Sequence, residues 1–145
     1  KLELIEKEAE RLGIRNIETR SWDATRVDSS LLQKADRVLV DAPCSGLGVV
    51  RRKPEIKYKE YSMEMERLPK KQLAILSASS SYVKPGGTLL YSTCTINPEE
   101  NEEVVEAFLR KNPSFEKKEK LLLLPQVDGT DGFFFCVMKR SESLI

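Results

Sequence analysis

RVLVDAPCSG, residues 37–46, decides the fold of this chain. Val38-Leu39-Val40 is a continuous apolar run of the kind that forms a strand buried on both faces of a parallel sheet. An acid, a proline and a thiol follow at once, so groups able to do chemistry stand at the strand's exposed end. LLYSTCTINPEEN, residues 89–101, repeats the arrangement, with Cys94 between an apolar strand and a helix start. In open α/β sheets, ligands bind outside the carboxyl ends of the strands. Asp41, Cys44 and Cys94 all fall there.

The neighbouring segments support the same class. Leu2, Ile5, Ala9 and Leu12 recur at helical spacing, and Gly13 is placed as a C-terminal cap. Residues 14–22 are predicted to form a loop and short strand, with Asp23 at its end. Residues 46–59 read as a long loop with two glycines, Pro54 and five basic residues, a length that is often functional. A helix is expected over 63–83, interrupted or started near Pro69, with Leu73, Leu76 and Val83 buried. Lys84-Pro85-Gly86-Gly87 is read as a turn before a second buried strand over 88–93. At Asn97-Pro98-Glu99-Glu100 the spacing predicts a helix start: Asn97 caps, Pro98 takes the first helical position, and Glu100 completes a capping box. Val104, Val105, Phe108 and Leu109 then form its packing face, and Pro113 stops it. Two late strands are expected over 121–124 and 133–138, separated by the turn-rich Asp128–Gly132. The alternation indicates an α/β architecture with mostly parallel strands.

Composition bounds the function. The chain has 145 residues, 40% hydrophobic and 32% charged, which fits one globular domain. No apolar stretch approaches the ~20 residues that span a bilayer, and no basic-then-apolar leader opens the chain, so no membrane association is expected. The first residue is Lys1, as in a piece of a longer polypeptide. Three cysteines without C-x-x-C spacing argue for free thiols in a reducing compartment, the cytoplasm. The absence of histidine removes Ser-His-Asp and Cys-His catalysis and most zinc sites, and no metal is expected. Net charge is +1, but residues 51–71 hold eight Lys/Arg against four Glu. On charge alone that cluster reads first as a solvated face.

Individual residues admit a plain and a chemical reading. A strand-end cysteine is commonly a small buried hydrophobe, and Cys136 inside FFFCVM keeps that reading. Cys94 differs: the free N–H groups and positive dipole end of the following helix would favour a nucleophilic thiolate. Asp41 could be a turn cap or a carboxylate that accepts from an amide or amine of a bound heterocycle, with Pro43 stiffening the turn. Asp23 could be a plain strand terminator. Cys44 and Arg51, with six residues between them and no preceding histidine, do not make a phosphatase loop. Gly46-Leu47-Gly48 is followed by Arg51 where a dinucleotide fingerprint needs its third glycine.

VDAPCSGLGVVRRKPEIK followed by LLYSTCTINPEENEEVV resembles the RNA cytosine-5 methyltransferases of the Sun, or RsmB, type. DGFFFCVMKR resembles that family's terminal strand, and residues 2–23 the helix and strand before it. The resemblance implies a Rossmann-like, S-adenosylmethionine-dependent methyltransferase fold in which residues 1–145 are the C-terminal portion of one catalytic domain. It implies that the first two strands and glycine-rich cofactor loop precede Lys1, so these residues alone are expected to bind cofactor poorly and turn over little. It further implies that Cys94 attacks C6 of a cytosine in RNA, expected to be ribosomal, and that Cys44 assists product release. Asp41 would hold the base edge beside the methionine end of S-adenosyl-L-methionine, and Asp23 would accept from its adenine. Arg51, Arg52 and Lys53 match the family's basic stretch, which shifts the cluster towards RNA contact. The alternatives are a non-catalytic RNA-binding module with structural thiols, or an inactive fragment.

Overall fold

The computed structural model describes residues 1–58 and 63–143, with Glu64 by its backbone only. The basic cluster's Lys59 and Glu60 lie outside the described residues, as does the Glu64 side chain. Helix α1 spans Leu2–Arg11, strand β1 Ala35–Asp41, helix α2 Met63–Ser80 and strand β2 Val83–Thr93. Helix α3 (Glu102–Lys111), strand β3 (Phe115–Leu123), the single turn α4 (Pro125–Asp128) and strand β4 (Phe133–Arg140) complete the order.

The four strands form one sheet in the order β1-β2-β4-β3. β1 and β2 are parallel, whereas β2–β4 and β3–β4 are antiparallel. The expected mostly parallel sheet is therefore mixed. A parallel pair needs a crossover, and only β1–α2–β2 supplies one within these residues. The register pairs Val40 with Tyr91 and Asp41 with Ser92. Val40, Ala42, Leu89, Tyr91, Phe134, Cys136 and Met138 point to one face and pack under Leu76, Val104, Val105 and Phe108 of α2 and α3. β2 and β4 bury alternate residues there, and the large rings lock at Tyr91–Phe134 and Phe108–Phe115 in edge-to-face contacts.

The opposite face departs from the expectation of burial on both sides. Leu39 is 67% exposed, because no helix among the described residues crosses that face. Residues 14–22 are likewise not a strand: an extended segment becomes one only by pairing, and no described strand lies beside it. Lys84-Pro85-Gly86-Gly87 belongs to β2, as an irregularity between the Ala35–Val83 and Arg37–Thr88 pairs with Gly86 at φ +73°. Gly13 closes α1 at φ +69° as expected. Pro69 lies inside α2 without ending it.

Candidate active site

β1 and β2 run parallel, so their carboxyl ends lie side by side. The ladder continues one step beyond β1, with the Ala42 N–H donating to the Ser92 carbonyl at 3.0 Å. Three residues past the Asp41–Ser92 pair on one strand and two past it on the other, Cys44 Sγ and Cys94 Sγ meet at 3.3 Å. Both thiols are free and half-buried. Burial, reinforced by the Cys94 sulfur, pushes the Cys44 thiol up to about 12 from its ordinary 9.0. Two thiols this close do not both ionise, and burial keeps the proton on Cys44. Cys136 lies in the core on β4, where burial raises it to about 11, in line with the structural reading.

The loop after Cys44 is held against Cys94 by backbone. The Gly48 N–H donates to the Cys94 carbonyl at 3.0 Å, and the Gly132 N–H donates to the Gly48 carbonyl at 2.7 Å. A Cβ on Gly48 would stand 2.2 Å from the Gly132 carbonyl oxygen. Gly48 is therefore a glycine of close approach, a role that the Gly-Leu-Gly pattern does not disclose.

The predicted helix start at Asn97 is corrected. Asn97 Oδ1 accepts from the Glu99 N–H at 3.1 Å, but residues 98–101 form a turn and α3 begins at Glu102. Glu100 does not reach back as a capping box. It turns inward, 1% exposed, and its Oε1 accepts from the Ser45 N–H at 2.8 Å and Gln72 Nε2 at 3.0 Å. Its Oε2 accepts from Ser45 Oγ at 2.6 Å, Asn97 Nδ2 at 3.1 Å and Thr95 Oγ1 at 3.4 Å. Five donors, with no cationic partner among the described residues, suit a buried carboxylate, which is acceptor-only. Sequence reasoning missed Ser45, Gln72, Thr95 and the inward role of Glu100. One signal was available: each of the two strand-end cysteines, Cys44 and Cys94, is followed directly by a hydroxyl residue.

Asp41 is exposed at the tip of β1, with no side-chain hydrogen bond among the described residues. With Ser92 it edges an open trough of about 330 Å³, floored by Leu39, Leu90, Phe133 and Phe135. Asp23 is exposed and lies in a turn of its own, accepting from the Thr25 N–H at 3.0 Å and Thr25 Oγ1 at 2.7 Å. Those two bonds lower its pKa. Arg51, Arg52 and Lys53 are exposed on the loop that leaves Gly48, and Arg52 Nε pairs with Asp131 Oδ2 at 2.6 Å. No group of metal-ligating side chains occurs among the described residues. No helix there is long and apolar enough to cross a membrane.

Residues 1–139 match the family model of the 16S rRNA methyltransferases RsmB/F. The chain belongs to that family. A probable ribosomal RNA small subunit methyltransferase B of Bacillus subtilis is 41% identical over 97% of this chain, which spans 35% of that relative. The ribosomal RNA small subunit methyltransferase B of Klebsiella pneumoniae is 42% identical over 74% of the chain and 27% of its own length. The chain thus spans between about a quarter and a third of the RsmB relatives it matches. Among solved structures, NSun6 from Pyrococcus horikoshii with SFG, an S-adenosylmethionine analogue, superposes with a TM-score of 0.81 at 30% identity. That match covers 98% of this chain and 39% of NSun6. A methyltransferase homologue from the same organism gives 0.78 at 25% identity, over 96% of this chain and 50% of the homologue. These matches agree with a Rossmann-like RsmB/F fold.

Proposed function

We propose that this RsmB/F chain carries the thiol chemistry for methylating C5 of cytosine in ribosomal RNA. The observation that carries the reading is the Cys44–Cys94 pair, 3.3 Å apart at the ends of adjacent parallel strands. Cytosine C5 is a poor nucleophile while the 5,6 double bond is intact. Addition of the Cys94 thiolate to C6 saturates that bond and puts the electron pair on C5. S-adenosylmethionine, when bound, supplies the methyl group from its sulfonium. Loss of the C5 proton to water or a carboxylate then restores the double bond and expels Cys94 as thiolate. Cys44, held protonated beside Cys94, offers its S–H to the departing sulfur, which fits assistance in release.

The polar groups fit a cationic cofactor and a base with exocyclic nitrogen. Asp41 presents a carboxylate with no hydrogen-bond partner among the described residues, suited to the amino edge of cytosine and the methionine end of the cofactor. Asp23 would accept from the adenine amine. Arg51, Arg52 and Lys53 offer phosphate contacts beside the thiols, and the target base must leave its stack to reach Cys94. The relatives named as ribosomal RNA methyltransferases support the substrate class.

Trapping tests the reading. The full-length protein carrying this chain is expected to form a covalent complex with RNA containing 5-fluorocytosine, whose fluorine blocks release. Cys94→Ala is expected to abolish the complex. A Cys94→Ala protein that still crosslinks would move the nucleophile away from this position, whereas a wild-type protein that binds the RNA without crosslinking would leave the RNA-binding module as the better reading.

A further inference from the structure

Glu100 is buried without a cationic partner among the described residues, and its five donors come from both halves of the thiol site. Ser45 directly follows Cys44, and Thr95 directly follows Cys94. The two hydroxyls also meet each other at 2.8 Å, so the Thr95 proton serves either Ser45 Oγ or Glu100 Oε2, and in either case joins Thr95 to the carboxylate directly or through Ser45. One carboxylate therefore ties down the backbone immediately beyond each sulfur. Gln72 of α2 extends the tie, donating through Nε2 to the Pro43 carbonyl at 2.8 Å as well as to Glu100. The acid itself is fixed from the sheet. Tyr91 Oη donates to the Glu100 carbonyl at 2.6 Å, and Asn101, anchored by Thr93 Oγ1 at 2.5 Å, donates to the Thr95 carbonyl at 2.9 Å.

We infer that Glu100 is a positioning residue that sets the separation of the Cys44 and Cys94 sulfurs by holding the Ser45 and Thr95 segments together. The inference rests on the reading of Cys94 as nucleophile and adds the device that aims it. A carboxylate meets every donor as it stands: glutamine keeps the shape but sets an NH2 group against the Asn97 Nδ2 donor and forces the Ser45 and Thr95 hydroxyls to turn from donating to accepting. Aspartate, one methylene shorter, cannot reach both segments. The thiols, 50 residues apart in sequence, would then lose their fixed approach, and displacement of reacting groups by about 1 Å costs on the order of 10²-fold in rate.

The test uses the full-length protein with two readouts. The first is the rate of covalent trapping on 5-fluorocytosine RNA at saturating RNA. The second is the equilibrium between the Cys44–Cys94 dithiol and its disulfide in glutathione buffers. There two thiols and one glutathione disulfide give the protein disulfide and two glutathione thiols, so the equilibrium reports how well the sulfurs are held together. Glu100→Gln is expected to slow trapping by roughly 30–100-fold and to shift the thiol equilibrium towards dithiol by about tenfold or more. Ser45→Ala, which removes only one hydroxyl and keeps the fold, is expected to move both readouts the same way by a smaller factor. In the double variant the effects are less than multiplicative, because both act through one interaction. If Glu100→Gln does not fold, Ser45→Ala decides. Trapping and thiol equilibrium both within twofold of wild type in the variants that fold would overturn the inference. The thiol equilibrium requires no RNA, so it still judges Glu100 if Cys94→Ala shows that another residue attacks the base.

Discussion

Replacing Gly48 by alanine should disable the site through a single added carbon. Gly48 is outside the left-handed region, so space and not backbone conformation decides the outcome. The new Cβ would meet the Gly132 carbonyl oxygen at 2.2 Å and carbon at 2.6 Å, and the Cys94 carbonyl oxygen at 2.8 Å. All three are backbone atoms, so no rotamer change relieves them. Ordinary van der Waals contact begins near 3.4 Å, so the Gly132 carbonyl and the Gly48 loop must separate by about 1 Å. That movement strains the Gly48–Cys94 and Gly132–Gly48 hydrogen bonds together. Overpacking of this kind costs about 1–3 kcal/mol, and a 1 Å displacement beside Cys94, the proposed nucleophile, costs on the order of 10²-fold in rate. Trapping kinetics on 5-fluorocytosine RNA, alongside urea unfolding of the same full-length variant, measure the two effects separately. A Gly48→Ala protein that traps at the wild-type rate with an unchanged unfolding midpoint would refute the close approach and, with it, the loop's role in placing Cys94.

Further outcomes follow from charge and ionisation. Because Cys44 is pushed up to about 12, its alkylation by iodoacetamide should stay slow until the pH nears that value, well past the range where an ordinary thiol reacts. The fold favours the protonated thiol, so this contribution to stability is complete below pH 9.0, its ordinary value, and is lost as pH rises through about 12. Cys44→Ser should therefore flatten the alkaline fall in stability, and an unchanged slope between variant and wild type would contradict the buried thiol. Alanine at Arg51 or Lys53 should weaken RNA binding and reduce the salt slope by about one for each phosphate no longer neutralised. Arg52, already paired with Asp131, should contribute less than either. Binding curves at several salt concentrations check this, and identical slopes would leave the cluster as a solvated face.

The local patterns were legible because they depend on near neighbours in the chain. Apolar alternation and runs located the cores of β1, β2 and β4, though β2 starts five residues before its expected first residue, Thr88, and helical spacing placed α1 and the packing face of α3. The misreadings share one cause. Residues 14–22 have strand-like character without a partner strand, and Leu39 has core character without a covering helix, because pairing and coverage are properties of the assembled sheet. At Asn97–Glu100 the capping pattern was sound, yet the five donors that converge on Glu100 outweighed the single bond a capping box offers.

From its own letters the chain determined that two thiols and a carboxylate stand at the carboxyl ends of strands, since strand periodicity and the turn residues after it are local. Only the tertiary structure decided that those thiols touch. Their meeting depends on the parallel register of β1 against β2, on glycines 48 and 132 letting two loops approach, and on a buried acid gripping both. Each of these joins segments tens of residues apart, where sequence spacing carries no information about distance.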